Sequence, residues 1–145
     1  MMQLFQSWQT WALMSAAFAA LTAIFGKVGV ENVSASFATL IRTVVILAFM
    51  AAVVTATGAA QPLRSITAKA FVFLALSGLA TGASWLCYYQ ALKLGPASQV
   101  APIDKLSVVL VAIVGVAVLG EQLSLRNWLG VLLMTGGAIL VVLRA

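Results

Sequence analysis

The sequence predicts an all-α, multi-pass membrane protein with five transmembrane helices, and three observations support that prediction. Hydrophobic residues fill 63% of the 145 positions and charged residues only 8%, whereas soluble domains carry roughly 25% charged residues. Mean hydropathy is +1.13. Apolar runs of about 20 residues, the length that crosses a bilayer core, recur along the chain. So few polar groups could not cover a small domain in water, which excludes soluble enzymes, nucleic-acid binders and disordered tails.

The apolar runs define five predicted spans, numbered in chain order: residues 8–26, 35–57, 70–92, 97–119 and 125–143. Glycine and proline mark the breaks, with Pro62 after the second span and Gly95-Pro96 after the third. Tryptophan and tyrosine lie near several predicted span ends, as in the aromatic belts of membrane proteins. Only short connections remain, so residues 1–145 are predicted to form one five-helix membrane domain.

The first run has a second interpretation, a cleaved signal peptide, because its alanine-rich sequence offers cleavage sites. A secretory signal carries basic residues before its apolar run, and no Lys or Arg precedes Lys27. This order favours a retained first span.

The net charge of +5 at pH 7 does not come from a nucleic-acid-binding patch. The basic residues occur singly along the chain: Lys27, Arg42, Arg64, Lys69, Lys93, Lys105, Arg126 and Arg144. Lys and Arg between apolar runs act as topology signals. Three of them lie in the connections on each side of the membrane, and adding Arg42 and Lys105 to the nearer side gives five against three. This balance fixes the orientation only weakly.

A balanced chain with an odd number of spans has a structural consequence. If copies insert both ways, two of them can pair antiparallel about an axis in the membrane plane. Such a pair builds, from one short sequence, the inverted repeat on which many transporters are based. The sequence therefore predicts an antiparallel homodimer.

Three ionisable residues lie inside predicted spans: Arg42, Asp104 and Lys105. Charges at a helix centre cost at least roughly 2.5–3.5 kcal/mol on insertion scales, so they usually pair or face a cavity. Arg42 and Asp104 each lie about two turns into a span that starts from the same membrane side, and we expect them to pair. Lys105 should point about 100° away from Asp104 and snorkel outward. The pair fits either a substrate site or a salt bridge that locks spans two and four.

Pro102 precedes these charges in span four. Proline has no N–H, so the Ser98 carbonyl loses its helical donor and the helix is expected to kink. Freed backbone at such a break often forms part of a transporter's binding site.

Span three carries a polar stripe at helical spacing: Ser77, Thr81, Ser84 and Tyr88, with Trp85 beside it. Hydroxyls on one face of a helix can line a substrate path, which is the interpretation that we adopt. The alternative is that they form hydrogen bonds between packed helices.

Other chemistry is poorly supported by the composition. Cys87 is the one cysteine and there is no histidine, so neither an internal disulfide nor a Cys/His metal site can form. Three acidic residues in all make enzymatic catalysis improbable. We expect no cofactor and no nucleic-acid partner.

Several motifs resemble one membrane family. They are the stretch from Leu94 to Ile103 (LGPASQVAPI), the stretch from Leu119 to Ser124 (LGEQLS), SGLATG from Ser77 and DKLS from Asp104, with Gly130 and Gly136-Gly137 in the last helix. Together they resemble the EamA-type domain of the drug/metabolite transporter superfamily. The resemblance covers the whole chain, which is similar to the free-standing five-span halves of the bacterial and archaeal branch.

The resemblance implies one half of an inverted-repeat transporter, a central cavity between halves, and export or exchange of small metabolites or drugs. The related four-span multidrug exporters use a glutamate in their first helix, whereas span one here has no acidic residue. Proton coupling through that device therefore does not carry over. Asp104 is the acidic group available within a span.

Together the residues and the resemblance predict a secondary transporter of the cell inner membrane, which acts as a homodimer on a small-molecule substrate. The predicted substrate pathway contains Arg42, Asp104, Lys105, Ser77, Thr81, Ser84, Trp85 and Tyr88. Two alternatives stay open. The chain could be a small membrane protein that stabilises a larger partner without transporting, or one subunit of a hetero-oligomeric transporter.

Overall fold

The computed structural model describes residues 7–143, and their elements are helical. The helices are α1 (Trp8–Gly29), α2 (Ala35–Thr57), α3 (Ala68–Leu94), α4 (Ala97–Asp104), α5 (Ser107–Val118) and α6 (Leu125–Val142), with a 3-10 turn at Leu63–Ser65. Within residues 7–143, five segments are long and apolar enough to cross a membrane, with α4 and α5 counted as one. The all-α, five-span prediction is confirmed. Arg144, counted above as a topology signal, lies outside the described residues.

Local signals set several helix ends. The hydroxyls of Ser34 and Ser124 accept hydrogen bonds of 3.3 Å from the N–H groups of Phe37 and Asn127, which caps α2 and α6. After α2, Gly58 adopts a left-handed φ of 63°, a conformation that glycine reaches without steric cost. Its N–H and the next one bond back to the last turn of α2, and so end the helix.

The chain divides into two compact units, Phe25–Leu94 and the combination of residues 1–24 with 95–145. The first boundary falls within α1. The prediction of one five-helix domain stays a prediction.

The Phe25–Leu94 unit consists of the last turn of α1 with α2 and α3, which pack on each other. Leu92 and Val30 have exposed fractions of 0% and 1% and form its small core. Two lysine side chains form hydrogen bonds between the α1–α2 region and the end of α3. Lys27 donates from Nζ to the Leu92 carbonyl, and Lys93 donates to the Val33 carbonyl at 2.8 Å, which satisfies carbonyl groups at helix ends and in the α1–α2 turn.

In the second unit, α6 packs against α4 and α5. A break separates α4 from α5 after Asp104, two residues beyond Pro102, the residue at which a kink was expected. Lys105 still donates to the Ala101 carbonyl at 3.2 Å, but Leu106 bonds to Ile103 at 2.9 Å in the tighter 3-10 manner. The fourth span therefore crosses as two helices joined at residues 105–106.

Most large apolar side chains are exposed to the surroundings, among them Phe18, Leu47, Phe73 and Leu133. In water such a surface would aggregate. Hydrocarbon is as apolar as leucine, so in a bilayer these side chains need no burial.

Candidate functional site

A cavity of about 450 Å³ lies between α2 and α3 in the Phe25–Leu94 unit. It is lined by Thr39, Arg42, Thr43 and Ile46 of α2 and by Leu74, Ser77, Gly78, Thr81, Gly82 and Trp85 of α3. Small-molecule sites typically enclose about 300–1,000 Å³. The cavity is therefore large enough for a metabolite.

Arg42 is held in this cavity by aromatic rings. Its guanidinium carbon lies directly over the Trp85 ring and 5.8 Å from the centre of the Tyr89 ring. Trp85 and Tyr89 meet edge to face, with centroids 5.8 Å apart and an interplanar angle of 83°, a preferred aromatic geometry. A cation over an aromatic face gains about 2 kcal/mol or more where water is excluded. The rings therefore fix the plane of the guanidinium group.

One nitrogen of Arg42 is left without a hydrogen bond. Nη1 is buried and has no hydrogen-bond partner among the described residues. A buried donor that stays unsatisfied costs about 1–3 kcal/mol, and more for a charged group. Arg42 lines the cavity, so a ligand oxygen that reached Nη1 from there would form the missing hydrogen bond.

The threonine hydroxyls of the cavity already donate to backbone carbonyls. Thr39 bonds to Ala35, Thr43 to Thr39 and Thr81 to Ser77, each at 2.8 Å. Since each hydroxyl has one proton, these oxygens can offer a solute only acceptor sites.

Two glycines of α3, Gly78 and Gly82, line the cavity without side chains. A Cβ atom at Gly78 or Gly82 would meet nothing within 4 Å. Both glycines line the cavity with Arg42 and Trp85, so their missing side chains leave open volume there.

The structure brings together half of the predicted pathway residues. Arg42, Ser77, Thr81 and Trp85 line the same cavity. Tyr88 contacts Trp85 edge to face, with ring centroids 6.4 Å apart, but neither Tyr88 nor the exposed Ser84 lines the cavity. The roles of all these residues in transport stay predictions.

Sequence reasoning predicted Arg42 of α2 but missed the two threonines beside it. Thr39 and Thr43 flank Arg42 at helical spacing, so all three face α3. The spacing of Thr39, Arg42 and Thr43 could have predicted this arrangement, because these polar residues share one face of span two and Arg42 was already a candidate.

Asp104 and Lys105 lie in the other unit and pair with each other. Lys105 Nζ is 3.2 Å from Asp104 Oδ2, whereas Lys105 was expected to point away. Its long, flexible side chain reaches back to the neighbouring residue. Lys105 also lines an apolar cavity of about 220 Å³ beside α6. The Arg42–Asp104 pair stays a prediction, since the two residues belong to different units.

No group of three or more His, Cys, Asp or Glu side chains within residues 7–143 is arranged to hold a metal ion. The chemistry of the cavity is that of one cation, hydroxyls and apolar walls.

Sequence comparison places this architecture in a family. The profile of the EamA-like transporter family matches residues 6–143. The chain belongs to the EamA-like transporter family. It is 64% identical over 136 residues to a Sinorhizobium sp protein named "Uncharacterized transporter in cobO 3'region", across 94% of this chain and 96% of that relative. No solved structure gives a significant match.

Membership in the EamA-like family confirms the resemblance seen in the sequence and gives this multi-pass membrane protein a transporter role. The matched relative has nearly the same length, so half-size chains recur in the family.

Proposed function

We propose that this EamA-like protein is a secondary transporter that moves a small solute across the cell inner membrane through a path that includes the α2–α3 cavity. The observation that carries the proposal is Arg42, a cation that lines the cavity inside a predicted span and has a buried nitrogen with no hydrogen-bond partner among residues 7–143. Ionisable residues kept within spans usually mark solute or ion pathways.

The polar wall of the cavity supports a second copy of the chain as the other half. Ser77 and Thr81 are exposed on α3, and hydroxyls facing hydrocarbon are unfavourable unless protein or water covers them. An antiparallel homodimer covers these residues and supplies the inverted repeat that alternating access requires. The nearly equal length of the relative accords with a five-span working unit.

In this dimer, alternating access comes from one half rocking against the other around the solute. The break between α4 and α5 provides a point where the fourth span can bend, because Leu106 has left the regular helical bonding pattern. Asp104 and Lys105 lie at that break and are the charged groups proposed to respond to the passing solute.

A flux measurement that covers many solutes at once tests the proposal. Purified protein is reconstituted into vesicles, which are incubated in a bacterial metabolite extract, washed and opened for mass spectrometry. We expect a defined set of small solutes to accumulate above the level in protein-free vesicles. Equal contents in both vesicle types would contradict transport by this chain alone. Accumulation only after co-expression with another half-size chain would replace the homodimer by a hetero-oligomer.

A further inference from the structure

The charge environment of the α2–α3 cavity is one-sided. Among the described residues that line it, Arg42 is the one ionisable side chain. The acidic residue of the same unit, Glu31, lines a separate cavity with Lys27 and Lys93. The cation in the α2–α3 cavity therefore has no counterion from the cavity's own walls.

The stacking of Arg42 determines which of its atoms a ligand can reach. Trp85 covers one flat face of the guanidinium group, but the N–H donors point outward in the guanidinium plane. Nη1 is buried without a partner among residues 7–143. An oxyanion satisfies such a donor and neutralises the charge at the same time, and charge-assisted bonds of this kind are the strong ones.

The rest of the lining selects against other ligands. Ile46, Leu74 and the Trp85 ring supply apolar surface, which suits an apolar body rather than a small hydrated ion. The threonine protons are already bonded to carbonyls, so a second strongly accepting group on the ligand would find few donors there. Ser77, which also carries a hydroxyl, is part of the lining.

We propose that this cavity binds a small organic anion, a carboxylate or phosphate monoester that carries one compact apolar body. The oxyanion bonds to Arg42, and the body lies against Trp85 and Ile46. The physiological purpose of this binding rests on the proposed transport function. The binding itself is inferred from the residues that line the cavity. A free solute and the phosphate of an anionic lipid share this chemistry, and the volume of about 450 Å³ favours the solute.

Three planar, nearly isosteric probes test the assignment: benzoate, benzamide and benzamidinium, which carry negative, neutral and positive heads on one ring. The protein is placed in nanodiscs of zwitterionic lipid and its thermal unfolding is followed with each probe, because a ligand that binds only the folded state raises stability. We expect benzoate to raise the unfolding temperature and the other two to have no comparable effect. Stabilisation by benzamide or benzamidinium equal to that by benzoate overturns the proposal. The proposal is also overturned if neither benzoate nor phenyl phosphate raises the unfolding temperature.

Substitutions then locate the site. We expect Arg42→Gln to lower the affinity for benzoate about tenfold or more, which is the loss typical of a charge-assisted hydrogen bond. Arg64→Gln removes an exposed loop cation and should leave benzoate binding unchanged. Equal benzoate affinity in Arg42→Gln and the wild type overturns the assignment. The selectivity among the three probes in the wild-type protein decides the question even if Arg42→Gln does not fold.

Two further arms separate the possible failures. If phosphatidylglycerol in the nanodisc abolishes the benzoate response, the occupant is a lipid and the free-solute assignment is overturned. Benzoate binding by a protein whose vesicles accumulate no solute would contradict transport and support the anion site. Accumulation of cationic solutes that is unchanged in Arg42→Gln would support transport and overturn the anion site.

Discussion

At the scale of single residues, the proposed transport depends on ions retained in apolar spans. Asp104 is the clearest case among the described residues, because the other two acidic residues, Glu31 and Glu121, lie in connections between helices. Its ion-pair partner is Lys105, at 3.2 Å. The side chains of Lys105 and Asp104 are 58% and 36% exposed, and a charged group exposed inside a membrane span costs free energy unless protein or water covers it. Stability alone is therefore a weak reason for a carboxylate at this place.

Replacement of Asp104 by Asn should abolish transport while leaving membrane insertion intact, because Asn keeps the shape and loses the charge. Solute accumulation per unit of inserted protein is the measurement. Glu121→Gln is the matched control, since it removes a carboxylate from a connection. Transport at the wild-type rate in Asp104→Asn would reduce Asp104 to a structural role.

At this scale the structure brings part of the predicted pathway together. The one charge inside span two, Arg42, lines a cavity with Ser77 and Thr81 of the polar stripe and with Trp85 beside it. The contact between Lys105 and Asp104 was not predicted, because the 100° offset between neighbouring residues of a helix does not limit how far a long lysine side chain can reach. The contributions of Thr39 and Thr43 were missed because hydroxyls within a span are also common as internal back-bonding groups, which is how both donate here.

At the scale of helices, the proposed transport cycle assigns bending to the fourth span, which is broken between α4 and α5. A proline inside a helix removes one hydrogen bond and costs about 3 kcal/mol. Pro102 imposes this cost within α4, three residues before the helix break at Lys105. A need for the fourth span to bend during transport would explain why a proline occupies this position.

Pro102→Ala should raise the unfolding temperature and slow transport, because alanine restores the donor for the Ser98 carbonyl and allows α4 to continue into α5. Thermal unfolding and solute accumulation are measured on the same preparation. Pro96→Ala is the control, since Pro96 caps α4 at a position where a helix does not use the N–H. Faster transport by a more stable Pro102→Ala protein would contradict a role for bending.

A second prediction at this scale concerns the contact between the end of α1 and α3. A Cβ atom at Gly26 would lie 3.0 Å from Tyr89 Cε1 and 3.4 Å from Leu92 Cδ1. Gly26→Leu should therefore overpack this contact and destabilise the fold by about 1–3 kcal/mol, seen as a lower unfolding temperature. Gly29→Leu, on the same helix, places its Cβ where nothing lies within 4 Å and should have little effect. Equal shifts in both variants would show that this contact is not structural.

Helix number and type were predictable because a bilayer demands about 20 apolar residues per span. The ends were close: α1 runs to Gly29 rather than residue 26, and α3 begins at Ala68 rather than residue 70. Such differences arise because a helix continues past the apolar run until a cap or turn stops it. The exact site of the break in span four was not predictable, since proline disturbs bonding over a full turn.

At the scale of the whole molecule, we expect the chain to insert into the membrane in two orientations. Reporters fused to the C-terminus, one active only in the cytoplasm and one only outside it, should both be active. The reason is the near balance of basic residues on the two sides. Activity of a single reporter would contradict the antiparallel homodimer.

Charge substitutions make this prediction sharper. Asn32 and Gln61 are exposed in successive connections, which face opposite sides of a membrane crossed by α2. Asn32→Lys and Gln61→Lys should bias insertion in opposite directions, so each alone should lower transport several-fold. Co-expression of the two variants should restore it, because together they supply both orientations. Full activity of either variant alone would argue for a parallel assembly.

The central claim, that a solute passes through the α2–α3 cavity, is tested most directly by filling that cavity. Gly82 lines it and has open space beside it, whereas the next residue, Ala83, is exposed and outside the lining. Solute accumulation should fall to the protein-free level in vesicles carrying Gly82→Leu and stay at the wild-type level with Ala83→Leu. Undiminished accumulation with Gly82→Leu, at equal amounts of folded protein, would show that the solute takes another route.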